Sequence, residues 1–172
     1  MDSIISNLLQ LSRIESGKII PATEKVSIQK MFFRLKEEFK AINKDMTIQF
    51  EEKPLQEIYT DSELLHQVFV AIISNSNKFI KQNPLIELKC TQTENQTTIG
   101  ILDNGPGFEE NVLPHVFERF YRGDSSHNRS AGGSGLGLSI AQAIIKNLNG
   151  KIIASNGKNG GALITITLKN FT

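Results

Sequence analysis

The chain has 172 residues, of which 39% are hydrophobic and 22% charged, a balance that is ordinary for a soluble globular protein. A single cysteine, Cys90, excludes an internal disulfide and fits a reducing compartment, and the longest apolar run, residues 68–73, is far short of the roughly 20 residues that span a membrane. The net charge of +1 hides an asymmetry, since residues 125–172 carry five basic side chains and no acid. A basic, glycine-rich C-terminal third suits an anionic ligand, although a solvated face is the favoured explanation for the lysines alone.

Hydrophobic periodicity predicts the elements in chain order. Apolar residues at three- and four-residue spacing predict four helices, over 2–15, roughly 28–42, 61–81 and 136–148. Gly17 and Pro21 mark a linker after the first helix, and Thr60 or Asp61 caps the third. A further short helix follows residue 108. Alternating segments predict strands at MTIQFEE, EIYT, LIELKCTQT, QTTIGILD, KIIASN and GALITITL.

Strand pairs with helices between them predict an α+β fold. The expected architecture is a two-layer α/β sandwich, in which a mixed, mostly antiparallel sheet of about five strands packs against about three helices.

An apolar strand ends on the acid of Asp103-Asn104-Gly105-Pro106-Gly107 and then turns twice. Taken alone, this stretch is most simply a surface turn, since Asn-Gly and Pro-Gly are both turn dipeptides. A sharper interpretation is that the glycines let a ligand approach the backbone while the acid contacts that ligand.

Two other stretches interrupt the apolar pattern. Asn75 and Lys78 lie at i, i+3 beside the apolar stripe of the third helix. Gly133, Gly135 and Gly137 immediately open the fourth helix, whose free N–H groups and partial positive charge form either a phosphate cradle or only a flexible hinge. The P-loop is excluded, because no Gly-Lys-Ser/Thr follows these glycines. The dinucleotide-binding motif is excluded as well, because no acid after Asp124 remains to hold a ribose hydroxyl.

Together with a fourth stretch, Phe117-Glu118-Arg119-Phe120-Tyr121-Arg122, these motifs resemble the ATP-binding catalytic domain of bacterial sensor histidine kinases, within the superfamily that includes gyrase. The helix carrying Asn75 and Lys78 is similar to the family's N box, and the Asp103 stretch to its first glycine box. Residues 117–122 are similar to the F box, and the later glycines to the second glycine box. The resemblance covers roughly 25–170, and the opening LLQLSRIESGK looks like the end of the family's second dimerisation helix.

The resemblance implies a site for ATP and Mg²⁺. It makes Asn75 the magnesium ligand, and Asn75 and Lys78 the catalytic residues. Asp103 meets the adenine amino group, with Gly105 and Gly107 clearing room beside the base. Phe79 packs near base or sugar, although a core position is the favoured explanation for this residue. The implied nucleotide-binding set is Asn75, Lys78, Phe79, Asp103, Gly105, Gly107, Tyr121, Arg122, Gly133, Gly135, Leu136 and Gly137.

An ATP lid is also implied, at about 109–134. Its polar part, 121–134, has too few apolar residues to offset the entropy of ordering, so we expect it to be mobile without ligand. Phe117 and Phe120 are expected to anchor its near end in the core. Arg122 or Arg129 reaches the γ-phosphate on closure, with a solvated arginine equally expected for either.

By the same resemblance, residues 1–20 are the end of a dimerisation helix with its linker, and 21–172 are the kinase catalytic domain. None of His66, His115 and His127 is followed by the acid and downstream proline of the family's phosphoacceptor histidine. We therefore expect the chain to donate the γ-phosphoryl group of ATP to a dimerisation domain that would precede residue 1. The other expected partner is a cognate response regulator, with no nucleic acid, in a homodimeric and membrane-associated parent whose catalytic domain is cytoplasmic.

Two other functions stay open. One is a degenerate pocket that signals by docking partners, with or without nucleotide. The other is a gyrase-type ATPase, which is disfavoured because the related hydrolases place a glutamate base where this chain has Ala71. Most kinases of the family carry asparagine there, so Ala71 also predicts a weaker metal-dependent affinity for ATP.

Overall fold

The computed structural model describes residues 2–121 and 134–170. These residues form four α-helices: α1 (Asp2–Glu15), α2 (Ile28–Ile42), α3 (Ser62–Phe79) and α4 (Gly137–Asn147). They also form seven strands: β1 (Glu24–Val26), β2 (Thr47–Phe50), β3 (Ile58–Thr60), β4 (Leu85–Gln92), β5 (Gln96–Asp103), β6 (Lys151–Asn156) and β7 (Ala162–Lys169). A short 3-10 helix spans Leu113–His115. Among the described residues, no helix has both the length and the apolar character needed to cross a membrane.

Five of the strands form one mixed sheet, in the order β2, β4, β5, β7, β6. β2 pairs with β4 in parallel, and the other neighbouring pairs are antiparallel. β1 and β3 form a separate two-stranded antiparallel sheet. The predicted fold class is therefore confirmed. The sequence missed β1, because only one of its three residues is buried and three residues show no alternation.

The helices cover one face of the five-stranded sheet, and alternation along the central strand shows which face it is. On β5 the side chains of Thr97, Ile99, Ile101 and Asp103 are at most 7% exposed, and those between them are more exposed. Burying each isoleucine contributes about 1.5–3 kcal/mol to stability. Asp103 is the last member of this row, so the core-facing side of β5 ends on a carboxylate.

α3 crosses the core, with an apolar stripe whose members are at most 2% exposed: Leu65, Val68, Phe69, Ile72 and Ile73. Its N-terminus is capped by Asp61, whose Oδ1 accepts a hydrogen bond from the Leu64 N–H at 2.9 Å. The helix ends at Phe79 rather than at residue 81 as predicted. It stops there because Ile80 adopts an extended backbone, with φ −92° and ψ 117°.

α1 packs on α4, and its buried apolar residues lie in its C-terminal half. Leu11 and Ile14 are 1% and 4% exposed, whereas four apolar residues nearer its N-terminus are 36–57% exposed: Ile4, Ile5, Leu8 and Leu9. Glu15, the last residue of α1, accepts a hydrogen bond from the guanidinium of Arg119. The predicted division of the chain at residue 20 stays a prediction.

Candidate nucleotide-binding site

The carboxylate of Asp103 lies at the C-terminal end of β5 and is held in one orientation. The residue is 7% exposed. Its Oδ1 accepts two backbone hydrogen bonds, from the N–H groups of Gly105 and Ala162, each at 2.9 Å. One donor comes from the loop after β5 and the other from the first residue of β7. Asp103 is therefore fixed from both sides by backbone groups.

The second carboxylate oxygen, Oδ2, is open to a ligand. It accepts no hydrogen bond from the described residues. No side-chain oxygen or nitrogen of the described residues is both fully buried and without a partner, which agrees with an Oδ2 that reaches solvent. Because an ionised carboxylate only accepts hydrogen bonds, this oxygen selects a ligand group that presents an N–H or O–H.

The two glycines after Asp103 make room for protein atoms. A Cβ on Gly105 would lie 3.0 Å from Asp103 Oδ1 and 3.2 Å from Cγ1 of Ile80. Gly107 has φ +79°, and a Cβ there would lie 2.8 Å from Oδ1 of Asn156. The glycines thus let the loop close onto the carboxylate and onto β6. Their role beside a base stays a prediction.

The turn between β6 and β7, residues 157–161, holds the same loop from the other side, and the sequence did not reveal this. Gly161 has φ +82°, and a Cβ there would overlap the backbone oxygen of Asp103. Asn156 pairs with the backbone of Phe108: its Oδ1 accepts from the N–H at 2.7 Å and its Nδ2 donates to the carbonyl at 2.8 Å. The local signals here, Asn156-Gly157 and the Gly160-Gly161 doublet among them, indicate only a turn.

The C-terminal end of α3 lies against this loop through the contact between Ile80 and Gly105. Within the last two turns of α3, Asn75 is half-buried and Lys78 is exposed. Phe79 is 58% exposed, so the favoured prediction of a core position is wrong. The reason is that the core covers the apolar residues of α3 up to Ile73, whereas the apolar pattern in the sequence continues to Phe79.

The N-terminus of α4 faces α3. Leu136 is fully buried and anchors this end of the helix. A Cβ on Gly137 would lie 3.9 Å from the carbonyl oxygen of Ala71, which places the first turn of α4 beside α3. No side chain of the described part of the chain caps this helix. Its first N–H groups and their partial positive charge are therefore available to an anion.

The residues that flank the polar part of the predicted lid meet each other. The Phe120 N–H donates to the Gly135 carbonyl at 3.0 Å, and both residues have positive φ, +59° and +69°. Phe117 packs against the core as predicted. Phe120 is 54% exposed, so its predicted burial is wrong: a backbone hydrogen bond, rather than its ring, joins this end to Gly135, two residues before α4. The ring of Tyr121 lies 5.1 Å from that of His115.

The remaining predicted ligands, Arg122 and Gly133, lie outside the described residues, as does Arg129. Within residues 2–121 and 134–170, no three His, Cys, Asp or Glu side chains cluster as metal ligands. The amide oxygen of Asn75 nevertheless suits Mg²⁺, which prefers oxygen ligands and usually keeps several waters beside one or two protein groups and the phosphates of its nucleotide.

Comparison with known proteins decides the family. Residues 60–171, more than half of the chain, match the family described as "Histidine kinase-, DNA gyrase B-, and HSP90-like ATPase". The chain belongs to this ATPase family. The match covers all four boxes found in the sequence, and the resemblance to sensor histidine kinases is confirmed.

Relatives of this ATPase domain are sensor kinases. It is 33% identical over 172 residues to the sensor protein kinase WalK of Staphylococcus saprophyticus, covering 98% of this chain and 28% of WalK. It is 35% identical over 111 residues to the signal transduction histidine-protein kinase BaeS of Escherichia coli, covering 64% of this chain and 24% of BaeS. The chain thus spans 28% of the length of WalK.

The fold of the ATPase domain also matches solved structures. The crystal structure of full-length ShkA in complex with AMPPNP superposes with a TM-score of 0.83 at 21% identity, covering 99% of this chain and 36% of ShkA. This likeness confirms the fold of the domain.

Proposed function

We propose that this ATPase-family domain binds ATP with Mg²⁺ and donates the γ-phosphoryl group to a histidine outside this chain, as the catalytic part of a two-component sensor kinase. Its partners in this proposal are a dimerisation domain that carries the acceptor histidine and a cognate response regulator. The parent is a homodimer, and the catalytic domain works in the cytoplasm.

The observation that carries the proposal is the open Oδ2 of Asp103. The other oxygen of the same carboxylate, Oδ1, accepts hydrogen bonds from two backbone N–H groups at 2.9 Å. The carboxylate is therefore already oriented before a ligand binds. Adenine presents an amino group where guanine presents a carbonyl. A carboxylate accepts a hydrogen bond from the first and repels the second, which supports a preference for ATP over GTP.

The phosphate end of the proposed site lies between α3 and α4. The uncapped N-terminus of α4 supplies N–H groups and a partial positive charge, and the first turn of that helix lies next to α3 at Ala71. Lys78 adds a cationic side chain on α3, one turn beyond Asn75. Phosphoryl transfer depends mainly on positioning and charge stabilisation, which are the two contributions that these groups make.

Asn75 is the residue proposed to hold Mg²⁺. When bound, the ion neutralises charge that develops on the phosphate oxygens. The chain's own contribution is a half-buried amide oxygen on a rigid helix. Ala71, one turn earlier, offers no second side-chain oxygen.

The acceptor in this proposal is not one of the chain's own histidines. Nε2 of His66 lies 2.6 Å from Oε2 of Glu38, and Nδ1 of His115 lies 2.7 Å from Oε1 of Glu118, so both rings are paired within the domain. His127 lies outside the described residues. The exposed apolar residues of α1 support its assignment as part of a dimerisation helix. In the reaction the bond between the γ-phosphorus and its bridging oxygen breaks, a bond to an imidazole nitrogen forms, and ADP leaves.

Hydrolysis is not proposed as the main activity, because Ala71 has no carboxylate to accept a proton from water. A docking module with a degenerate pocket is the second candidate, since Ala71 removes a polar group from the phosphate end.

Incubation with γ-labelled ATP separates these functions. The chain alone is expected to gain no label on histidine. A separate helical-hairpin fragment that carries an acceptor histidine is expected to gain acid-labile, base-stable label in its presence. Such label on the chain alone would show that one of its own histidines is the acceptor. If ATP binds but the fragment stays unlabelled, the docking module becomes the better description.

A further inference from the structure

We propose that Asn156 is a positioning residue for the nucleotide loop, which we define as residues 104–108. Its side chain clamps Phe108 and so keeps the open oxygen of Asp103 in a binding-competent setting. This inference rests on the proposed function, since it assigns Asn156 to the same nucleotide site.

The clamp imitates a strand pair. Asn156 is the last residue of β6, and its side-chain amide makes both an accepted and a donated hydrogen bond with the backbone of Phe108, at 2.7 Å and 2.8 Å. A peptide group of a neighbouring strand would make the same two bonds. Asn156 therefore extends the edge of β6 over the loop where the main chain has already turned away.

The clamp and the anchor of Asp103 belong to one hairpin end. Asn156 is paired across the β6–β7 ladder with Ala162, whose N–H binds Oδ1 of Asp103. The loop is thus attached to that hairpin at both of its ends, through Asp103 and through Phe108. Gly107 lies between them at φ +79°, and Asn156 occupies the space that a Cβ on this residue would need.

Loss of the clamp frees one end of the loop. The apparent affinity equals the intrinsic affinity multiplied by the fraction of molecules that keep the competent conformation. Asn156→Ala removes both hydrogen bonds, and we expect it to weaken ATP binding by roughly fivefold to thirtyfold.

Asn170 provides a matched control. It is also an asparagine that makes two side-chain hydrogen bonds beside β5 and β7: its Oδ1 accepts from Thr97 Oγ1 at 2.8 Å and its Nδ2 donates to the Thr93 carbonyl at 2.9 Å. These bonds lie at the opposite end of β5 from Asp103. Asn170→Ala therefore also removes one accepted and one donated side-chain hydrogen bond, but at a distance from the proposed nucleotide site.

The test titrates the unaltered chain, Asn156→Ala and Asn170→Ala with MgATP by calorimetry, with urea unfolding of each and hydrogen exchange at the Phe108 amide. Asn156→Ala is expected to raise the Kd for ATP by roughly fivefold or more and to accelerate exchange at Phe108. Asn170→Ala is expected to lose similar stability and to bind ATP as the unaltered chain does. A second variant, Gly107→Ala, opens the clamp from the other side, and combining it with Asn156→Ala should cost less than the product of the two losses.

Equal ATP affinity in Asn156→Ala and the unaltered chain, or an equal loss in Asn170→Ala, would overturn the inference while leaving the proposed function standing. Fully multiplicative losses in the double variant would overturn it too. If the unaltered chain itself binds no ATP, the proposed function fails, and the inference fails with it.

Discussion

Replacing Asp103 by asparagine reverses the hydrogen-bonding character of one atom that a ligand meets. The carbonyl oxygen of the new amide can still accept from the N–H groups of Gly105 and Ala162, which now lie 2.9 Å from Oδ1. The amide nitrogen then takes the place of the open Oδ2 and presents a donor. Its hydrogens would face the amino group of adenine, whereas they could pair with the carbonyl of guanine.

The expected loss follows from the bond that disappears. A hydrogen bond to a charged group contributes about 1.5–3 kcal/mol, so Asp103→Asn should weaken ATP binding by roughly tenfold to a hundredfold. GTP binding should stay the same or improve, so the ratio of the two affinities changes by at least as much as the ATP affinity alone. Calorimetric titration with both nucleotides measures this ratio.

Asp61→Asn is the matched control, because Asp61 is also a buried aspartate that accepts two backbone hydrogen bonds. Its Oδ1 accepts from Leu64 at 2.9 Å and its Oδ2 from Ala22 at 2.7 Å. An amide there must lose one of the two acceptors, so stability should fall while ATP affinity is kept. The assignment of Asp103 to the base would be refuted by unchanged ATP affinity in Asp103→Asn, or by equal losses for ATP and GTP.

Three further predictions concern the surroundings of the site and the core. Gly161→Ala should weaken ATP binding and lower the free energy of unfolding by about 1–3 kcal/mol more than Gly160→Ala does. Both glycines have positive φ, but only a Cβ on Gly161 would overlap Asp103. Equal losses of stability for the two variants in urea unfolding would contradict this. Ala71→Asn should tighten MgATP more than metal-free ADP in calorimetry, since it adds an amide oxygen one turn before Asn75; equal tightening, or none, would make alanine a neutral substitution here. Burial raises the pKa of Cys90 from 9.0 to about 11, so the thiol stabilises the fold below pH 9 and this contribution is lost as pH rises toward 11. Relative to Cys90→Val, the unaltered chain should therefore lose about 1 kcal/mol of unfolding free energy between about pH 8 and about pH 10. A difference between the two chains that stays constant with pH would contradict the shift.

The elements that the sequence predicted well are those with local signals. Alternation along β5 identified the strand and its final acid, and three- and four-residue spacing identified α3 and α4 to within two residues at each end. These patterns depend on neighbouring residues, because each helix or strand presents its own face to one common core. The glycine boxes are local too, and their order along the chain led to the family.

The parts of the site that escaped prediction depend on contacts between distant residues. Asn156 and Phe108 are 48 positions apart, and Ala162 and Asp103 are 59 apart, so no window of sequence shows either pair. Phe120 failed for a different reason, since its apolar ring indicated burial whereas its positive φ and its backbone hydrogen bond determine its place.

Titrating the unaltered chain with MgATP and with MgGTP tests most directly whether this domain binds ATP through a carboxylate that selects adenine. Calorimetry should give one saturable site for ATP and an affinity for GTP that is weaker by roughly tenfold or more, in line with one charged hydrogen bond lost and one repulsion gained. No heat of binding with ATP, or equal affinities for the two nucleotides, would contradict the account.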